Sequence, residues 1–111
     1  MKLFLVAGEK SGDLLGAKLM QGLRRLAPGA RIEGVGGEAM IREGMTSLFP
    51  LEDIAVMGVT SVIAHLPKLL RRIDETARAI VAAGPDALVI IDSPDFTHRV
   101  ARKVRTLAPQ I

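Results

Sequence analysis

Two short polar segments of this sequence contain the residues that could do chemistry. AGEKSGD (7–13) follows the apolar run 3–6, and IDSPDF (91–96) begins at the last residue of the apolar run 87–91. Each segment combines carboxylates with small residues, and glycine lets a ligand approach the backbone closely. Because ligands of open α/β sheets bind outside the carboxyl ends of the strands, both segments are candidates for one binding crevice.

AGEKSGD fits neither common phosphate-binding pattern. A Walker A loop needs four residues between its first glycine and a Gly-Lys pair, whereas Gly8 and Gly12 are separated by three residues and Asp13 follows them. The dinucleotide pattern G-x-G-x-x-G fails at its second glycine. Ser11 and Asp13 instead predict a helix start, with Ser11 as N-cap and Asp13 facing the positive helix end. Glu9 has no part in such a cap, which leaves a ligand-binding role open.

GVGGEA (34–39) matches the looser dinucleotide pattern G-x-G-x-x-A, with Glu52 and Asp53 near the distance expected of a ribose-binding carboxylate. The match is weak, because the segment follows the second apolar run rather than the first and short glycine patterns recur by chance. We interpret it as a tight turn whose glycines adopt positive φ.

IDSPDF predicts the start of a helix and leaves one carboxylate unexplained. Ser93 is the expected N-cap, Pro94 the first helical residue and Asp95 a first-turn acid. Asp92 ends the apolar run and caps nothing. Crowding with Glu9, Asp13 and Asp95 at one sheet edge is expected to raise one pKa, which suits a general base. The alternative is a local structural carboxylate.

The elements that must position these segments follow from apolar periodicity. Consecutive apolar residues predict parallel strands at 3–6, 31–35 and 87–91. Helices are predicted at about 11–27, 37–44, 60–83 and 94–107, with a mixed segment at 45–56 and Pro67 marking a kink or a new helix. We expect an open, doubly wound parallel α/β sheet. The first helix is predicted to bury one face that carries Leu15, Leu19, Leu23 and Leu26.

Composition excludes several classes of function. The 111 residues contain no Cys, Trp or Tyr and have a formal charge of +3. Disulfides, zinc knuckles and thiol nucleophiles are thereby excluded, and the scarcity of aromatic rings argues against a stacking platform for nucleic acid. His65 and His98 lack metal-binding spacing. No apolar run approaches the roughly 20 residues of a membrane span.

The stretch 57–72 mixes apolar and basic residues. Such a helix usually buries its apolar face in the core, and the competing interpretation is an interfacial helix on a membrane. The candidate membrane-contact residues are Val59, Val62, Ile63, Leu66, Lys68, Leu69, Arg71 and Arg72.

Four segments together resemble one family of bacterial glycosyltransferases. AGEKSGDLLGA (7–17), GVGGEAM (34–40), LEDIAVMG (51–58) and IDSPDF (91–96) are similar, in order and spacing, to segments of the lipid-A-disaccharide synthases. Thr97 stands where Asn often follows in that family.

The resemblance implies a GT-B fold, with 1–111 as most of an N-terminal, Rossmann-like, acceptor-side domain and a second nucleotide-sugar domain absent. The implied reaction joins UDP-2,3-diacylglucosamine to 2,3-diacylglucosamine 1-phosphate, with inversion, giving the β-1,6-linked lipid A disaccharide and UDP. It implies no cofactor and no metal. Asp92 would be the catalytic base, and the implied substrate-binding residues are Gly8, Glu9, Ser11, Gly12, Asp13 and Asp95.

The implied setting is the cytoplasmic side of a Gram-negative inner membrane, with a peripheral protein contacting an anionic surface and two acylated sugar substrates, and no nucleic acid. A fragment of this length is expected to be inactive alone. The alternative function is a small α/β module that binds a phosphorylated ligand or regulates, without catalysis.

Overall fold

The computed structural model describes residues 1–55 and 59–111, with the backbone but not the side chains of 59–63. Within these described residues, three strands and four α-helices follow one another, with a short 3-10 helix at Leu51–Asp53. Their bounds are β1 Lys2–Ala7, α1 Lys10–Leu26, β2 Arg31–Val35, α2 Glu38–Arg42, α3 Val59–Ala83, β3 Ala87–Ile91 and α4 Pro94–Leu107. The predicted strands and helices are confirmed to within a few residues.

The strands form one parallel sheet in the order β2-β1-β3. Leu5 of β1 pairs with Gly34 of β2 and with Val89 of β3. The carboxyl ends of β1 and β3 lie side by side, since Ala7 pairs with Ile91. The predicted class, an open parallel α/β sheet, is confirmed.

Helices cover both faces of the sheet, which is why β1 is apolar at consecutive positions. Phe4 and Val6 pack into a core that includes Phe96 of α4 and residues of α3. Leu3, Leu5 and Ala7 pack on the opposite face against residues of α1 and α2. A fully buried side chain such as Phe96 contributes about 2–3 kcal/mol to the free energy of folding. The two cores fix the strand ends that carry the polar segments.

The buried face of α1 differs from the prediction. The residues it buries are Gly12, Asp13, Gly16, Ala17 and Met20. Leu15 and Leu26 are instead 58% and 87% exposed, and Leu19 is also exposed, whereas Leu23 packs against the core, partly buried, as predicted. The reason is close packing, because a Cβ at Gly16 would lie 2.5 Å from the Sδ of Met40. Small residues let α1 approach α2, and leucines on that face would not fit.

Two further expectations are corrected. The helix α3 runs without interruption through Pro67, so this proline does not begin a separate helix. In GVGGEA, glycine is required by space rather than by positive φ, which occurs at Gly44 and Gly84. A Cβ at Gly34 would lie 1.9 Å from the carbonyl oxygen of Leu5 in the neighbouring strand. The mixed segment holds the short 3-10 helix and one bridge, between Gly34 and Ser47.

Candidate functional site

AGEKSGD and IDSPDF meet at the carboxyl edge of the sheet, as their strands predict. The two glycines of AGEKSGD make the close contact possible. A Cβ at Gly8 would lie 2.2 Å from the Cβ of Ser93, and one at Gly12 would lie 3.2 Å from the Cβ of Asp92. Both glycines, predicted as substrate-binding residues, therefore also leave room for the turn after β3.

The turn after β3 has an uncommon backbone conformation. Asp92 and Ser93 have φ of 61° and 49°, the left-handed region, which costs about 1–2 kcal/mol per non-glycine residue. Ser93 stands at the N-cap position and Pro94 opens α4, as predicted, but the Ser93 side chain makes no capping hydrogen bond. The Ser93 amide donates to Oδ1 of Asp92 at 2.7 Å. Strain of this kind persists where surrounding contacts determine it, and such places are often functional.

The second oxygen of Asp92 is held by AGEKSGD. The Ser11 hydroxyl donates to Oδ2 of Asp92. The N-cap of α1 is Glu9 rather than Ser11, so the predicted capping role of Ser11 is wrong. Its hydroxyl is directed to the neighbouring strand end, a contact between residues distant in sequence that no local capping rule describes.

The pKa of Asp92 is lowered, whereas the crowded carboxylates predicted a raised value. The hydrogen bond from Ser11 lowers it most, followed by the one from the Ser93 amide. Partial burial opposes these effects without reversing them. Asp92 is exposed and ionised at neutral pH, so it can accept a proton from a bound hydroxyl group.

Asp13 does not share this crevice. Its carboxylate is 4% exposed and accepts hydrogen bonds from the backbone amides of Gly37, Ala39 and Met40, at 2.8, 3.0 and 2.9 Å. These amides belong to the start of α2, where an anion would be favoured. Asp13 therefore occupies the place that a phosphate would take after GVGGEA, which argues against both a dinucleotide site and a phospho-ligand site there.

Glu9 and Asp95, the two remaining carboxylates of the predicted crevice, lie at the starts of two different helices. Glu9 is the exposed N-cap residue of α1, two positions before Ser11. Asp95 is exposed in the first turn of α4, as predicted. The structure thus joins Ser11 and Asp92 into one cluster, with Gly8 and Gly12 against the same turn and the exposed Glu9 next to Gly8 in the chain.

Sequence reasoning missed one residue of this cluster. Thr97 is buried, and its Oγ1 lies 3.0 Å from the carbonyl oxygen of Asp92. A hydroxyl in the first turn of a helix that follows a candidate base was an available signal, because such side chains commonly bond to nearby backbone carbonyls.

The candidate membrane-contact residues of α3 do not behave alike. Lys68 and Arg72 both bind Asp53, at 3.1 and 2.5 Å. Arg72 also pairs with Glu75 at 2.6 Å and lies 4.6 Å from the ring centre of Phe49. The hydrogen bond from Arg72 is the first cause of the lowered pKa of Asp53. Both cations are therefore already paired with carboxylates of the protein itself.

Other members of that set remain available or lie outside the described residues. Leu66 and Arg71 are exposed, whereas Leu69 is partly buried against the core. The side chains of Val59, Val62 and Ile63 lie outside the described residues, as does the segment 56–58. Within the ranges that the structure covers, no helix is both long and apolar enough to cross a bilayer.

Comparison with known proteins decides the family. The family model described as Lipid-A-disaccharide synthetase matches residues 3–111. The chain belongs to the lipid-A-disaccharide synthase family. The resemblance of its four sequence motifs is thereby confirmed.

Curated lipid-A-disaccharide synthases are similar over nearly the whole chain. The enzyme of Nitrobacter hamburgensis is 60% identical over 111 residues, which are 99% of this chain and 28% of the relative. That of Rhodopseudomonas palustris strain HaA2 is 58% identical with the same coverage, and that of Alcanivorax borkumensis is 55% identical over 90% of this chain and 26% of the relative. The chain spans about a quarter of the length of these synthases and corresponds to their N-terminal part.

Proposed function

We propose that this chain is the acceptor-side part of an inverting glycosyltransferase. The full-length enzyme would join UDP-2,3-diacylglucosamine to 2,3-diacylglucosamine 1-phosphate, forming the β-1,6-linked lipid A disaccharide and UDP. One observation in the structure supports the proposal most. An ionised carboxylate, Asp92, is held by Ser11 at the carboxyl edge of the sheet, where ligands of this fold class bind.

Asp92 is proposed as the base. Its carboxylate accepts the proton of the acceptor 6-hydroxyl while that oxygen forms a bond to the anomeric carbon of the donor sugar. The bond from this carbon to the UDP oxygen breaks, and UDP leaves on the opposite face, which inverts the centre. A carboxylate with a lowered pKa is a weak base. It suits a reaction in which the hydroxyl becomes acidic as it attacks, so proton transfer completes late.

The neighbouring residues have supporting roles in this proposal. Ser11 contacts Asp92, and the exposed Glu9 lies two positions before Ser11. Both would hydrogen-bond the acceptor sugar, with the backbone at Gly8 and Gly12 allowing its close approach. Asp95 is exposed beside the same edge and is retained as a substrate-binding candidate. Asp13 would act indirectly, by holding α2 against α1.

The second half of the GT-B enzyme is proposed to supply most contacts to the UDP-sugar. The share of the relatives that this chain covers supports the division, because it leaves room for a second nucleotide-binding domain. Residues 1–111 alone are therefore proposed to be inactive. No cofactor or metal is assigned to the reaction.

A peripheral position on the cytoplasmic face of the inner membrane is proposed for the enzyme, since both substrates carry acyl chains. Support comes from the exposed part of α3, where Leu66 and Leu70 accompany Arg71. Apolar and basic side chains on one exposed helix suit an interface with anionic lipids.

The test uses a full-length enzyme of the family that carries this sequence at its N-terminus. Asp92→Asn keeps the shape but removes the proton acceptor, so turnover should fall by about 10²–10⁴-fold while donor binding is retained. Asp86→Asn is the matched control, an exposed carboxylate at the opposite end of β3, and should leave turnover near the unmodified level. Turnover of Asp92→Asn near the unmodified level would refute the assignment of the base.

A further inference from the structure

The left-handed turn that carries Asp92 is held from behind by Thr97. This threonine is 1% exposed, and its hydroxyl lies 3.0 Å from the carbonyl oxygen of Asp92 and 3.2 Å from that of Ser93. Both carbonyls belong to the residues with positive φ. A single buried hydroxyl group therefore contacts both residues of the turn.

The contact differs from the usual bond of a helical threonine. A threonine inside a helix normally donates back to the carbonyl four residues earlier, which here is Ser93. The carbonyl of Asp92, five residues earlier, is closer to Oγ1. The Thr97 hydroxyl therefore reaches the carbonyl of a residue that precedes α4.

The front of the same turn is fixed independently. Ser11 binds Oδ2 of Asp92, and Gly12 allows α1 to approach the Asp92 Cβ closely. A carboxylate is oriented only when both its side chain and its backbone are fixed. Ser11 fixes the side chain, and Thr97 fixes the carbonyl end of the same residue.

We propose that Thr97 is a positioning residue for the reaction, which sets the backbone of Asp92 so that its carboxylate meets Ser11 and the acceptor hydroxyl. The inference rests on the proposed function, because it assigns Asp92 as the base. Thr97 itself, buried under the turn, touches no substrate.

The chain offers a matched control in α3. Thr76 is fully buried, and its Oγ1 donates to the carbonyl oxygen of Arg72, four residues earlier, at 2.6 Å. Replacing either threonine by valine removes a buried hydroxyl bond and preserves the side-chain shape. The two changes differ in that the Thr76 bond stays within one helix, away from the turn.

The experiment compares Thr97→Val and Thr76→Val in the full-length enzyme by steady-state kinetics and by thermal unfolding. Both variants should lower the unfolding temperature. Thr97→Val should also lower kcat by about 10- to 100-fold, the loss that follows from misplacing a reacting group by about an ångström, with KM for the acceptor nearly unchanged. Thr76→Val should retain the unmodified kcat.

A second pair isolates the hydroxyl if Thr97→Val does not fold. Thr97→Ser and Thr97→Ala leave similar space, but serine keeps the donor, so kcat should be largely retained by serine and lost by alanine. Equal kcat values for this pair, or an equal loss of kcat in Thr97→Val and Thr76→Val, would overturn the inference.

Asp92→Asn, measured in parallel, separates this inference from the proposed function. If that variant is active, the assignment of the base fails. If it is inactive and Thr97→Val turns over normally, the base stands and the positioning role fails.

Discussion

The Ser11 hydroxyl donates a hydrogen bond to Oδ2 of Asp92, although the two residues are 81 positions apart in the chain. The bond links the first turn of α1 to the residue after β3. It forms because β1 and β3 are adjacent and parallel, so the segments that follow them meet at one edge. Its effect is chemical as well as structural, since it lowers the pKa of the carboxylate proposed as the base.

Ser11→Ala should change the pH dependence of catalysis. Removing the main hydrogen bond to the Asp92 carboxylate raises its pKa from the lowered value toward the ordinary one. The base must be ionised to act, so activity disappears on the acid side as pH falls through that pKa. We therefore expect the acidic limb of the kcat/KM profile to move to higher pH.

The profile is measured in the full-length enzyme, with Thr106→Ala as control. Thr106 is exposed in the last turn of α4, and its hydroxyl binds the carbonyl of Arg102 in the same helix. Its profile should match that of the unmodified enzyme. An acidic limb that stays in place in Ser11→Ala would show that Ser11 does not tune Asp92.

The elements of this fold could be predicted because their signals are local. Uninterrupted apolar runs identify β1 and β3, and Ser93 and Pro94 identify the start of α4. The sequence alone did not show that β1 and β3 are neighbours; the sheet order β2-β1-β3 shows it. The site was predicted in outline, because the two polar segments directly follow these two strands and meet when the strands are adjacent.

The failures concern contacts between residues far apart in sequence. The buried face of α1 could not be predicted, because Gly16 is needed there to leave space for the side chain of Met40 on another helix. The partner of Ser11 and the direction of the Asp92 pKa shift depend on hydrogen bonds across two strand ends. The role of Asp13 depends on amides of α2 that lie 24 to 27 positions later.

Asp13→Ala should destabilise the protein. The change removes a buried carboxylate that binds three amides at the start of α2, and leaves those amides without this acceptor. Loss of charge-assisted hydrogen bonds and of a helix cap predicts a decrease of about 3 kcal/mol in the free energy of unfolding.

Urea unfolding measures this decrease, with Glu33→Ala as the matched control. Glu33 is about half exposed and pairs with Lys2 at 3.5 Å, an interaction worth about 0–1 kcal/mol. A decrease for Asp13→Ala that is no larger than that of the control would mean that Asp13 does not hold α2.

Asp53→Asn should strengthen binding to anionic vesicles. The Asp53 carboxylate, 16% exposed, engages Lys68 and Arg72 on α3, so neither cation is fully available to lipid head groups. Neutralising Asp53 releases Lys68, while Arg72 keeps Glu75 as a partner. One added cation near an anionic surface contributes about 1 kcal/mol, which predicts roughly fivefold tighter binding.

Asp74→Asn is the control for net charge, because it also removes one negative charge from α3. Asp74 pairs with Arg78 and with Lys103 of α4, further along the helix from Leu66. Vesicle sedimentation in the full-length enzyme, at low and high salt, should show tighter binding for Asp53→Asn, lost at high salt, and little change for Asp74→Asn. Equal strengthening in both variants would assign the effect to total charge. Unchanged binding in both would place the membrane-binding surface elsewhere on the enzyme.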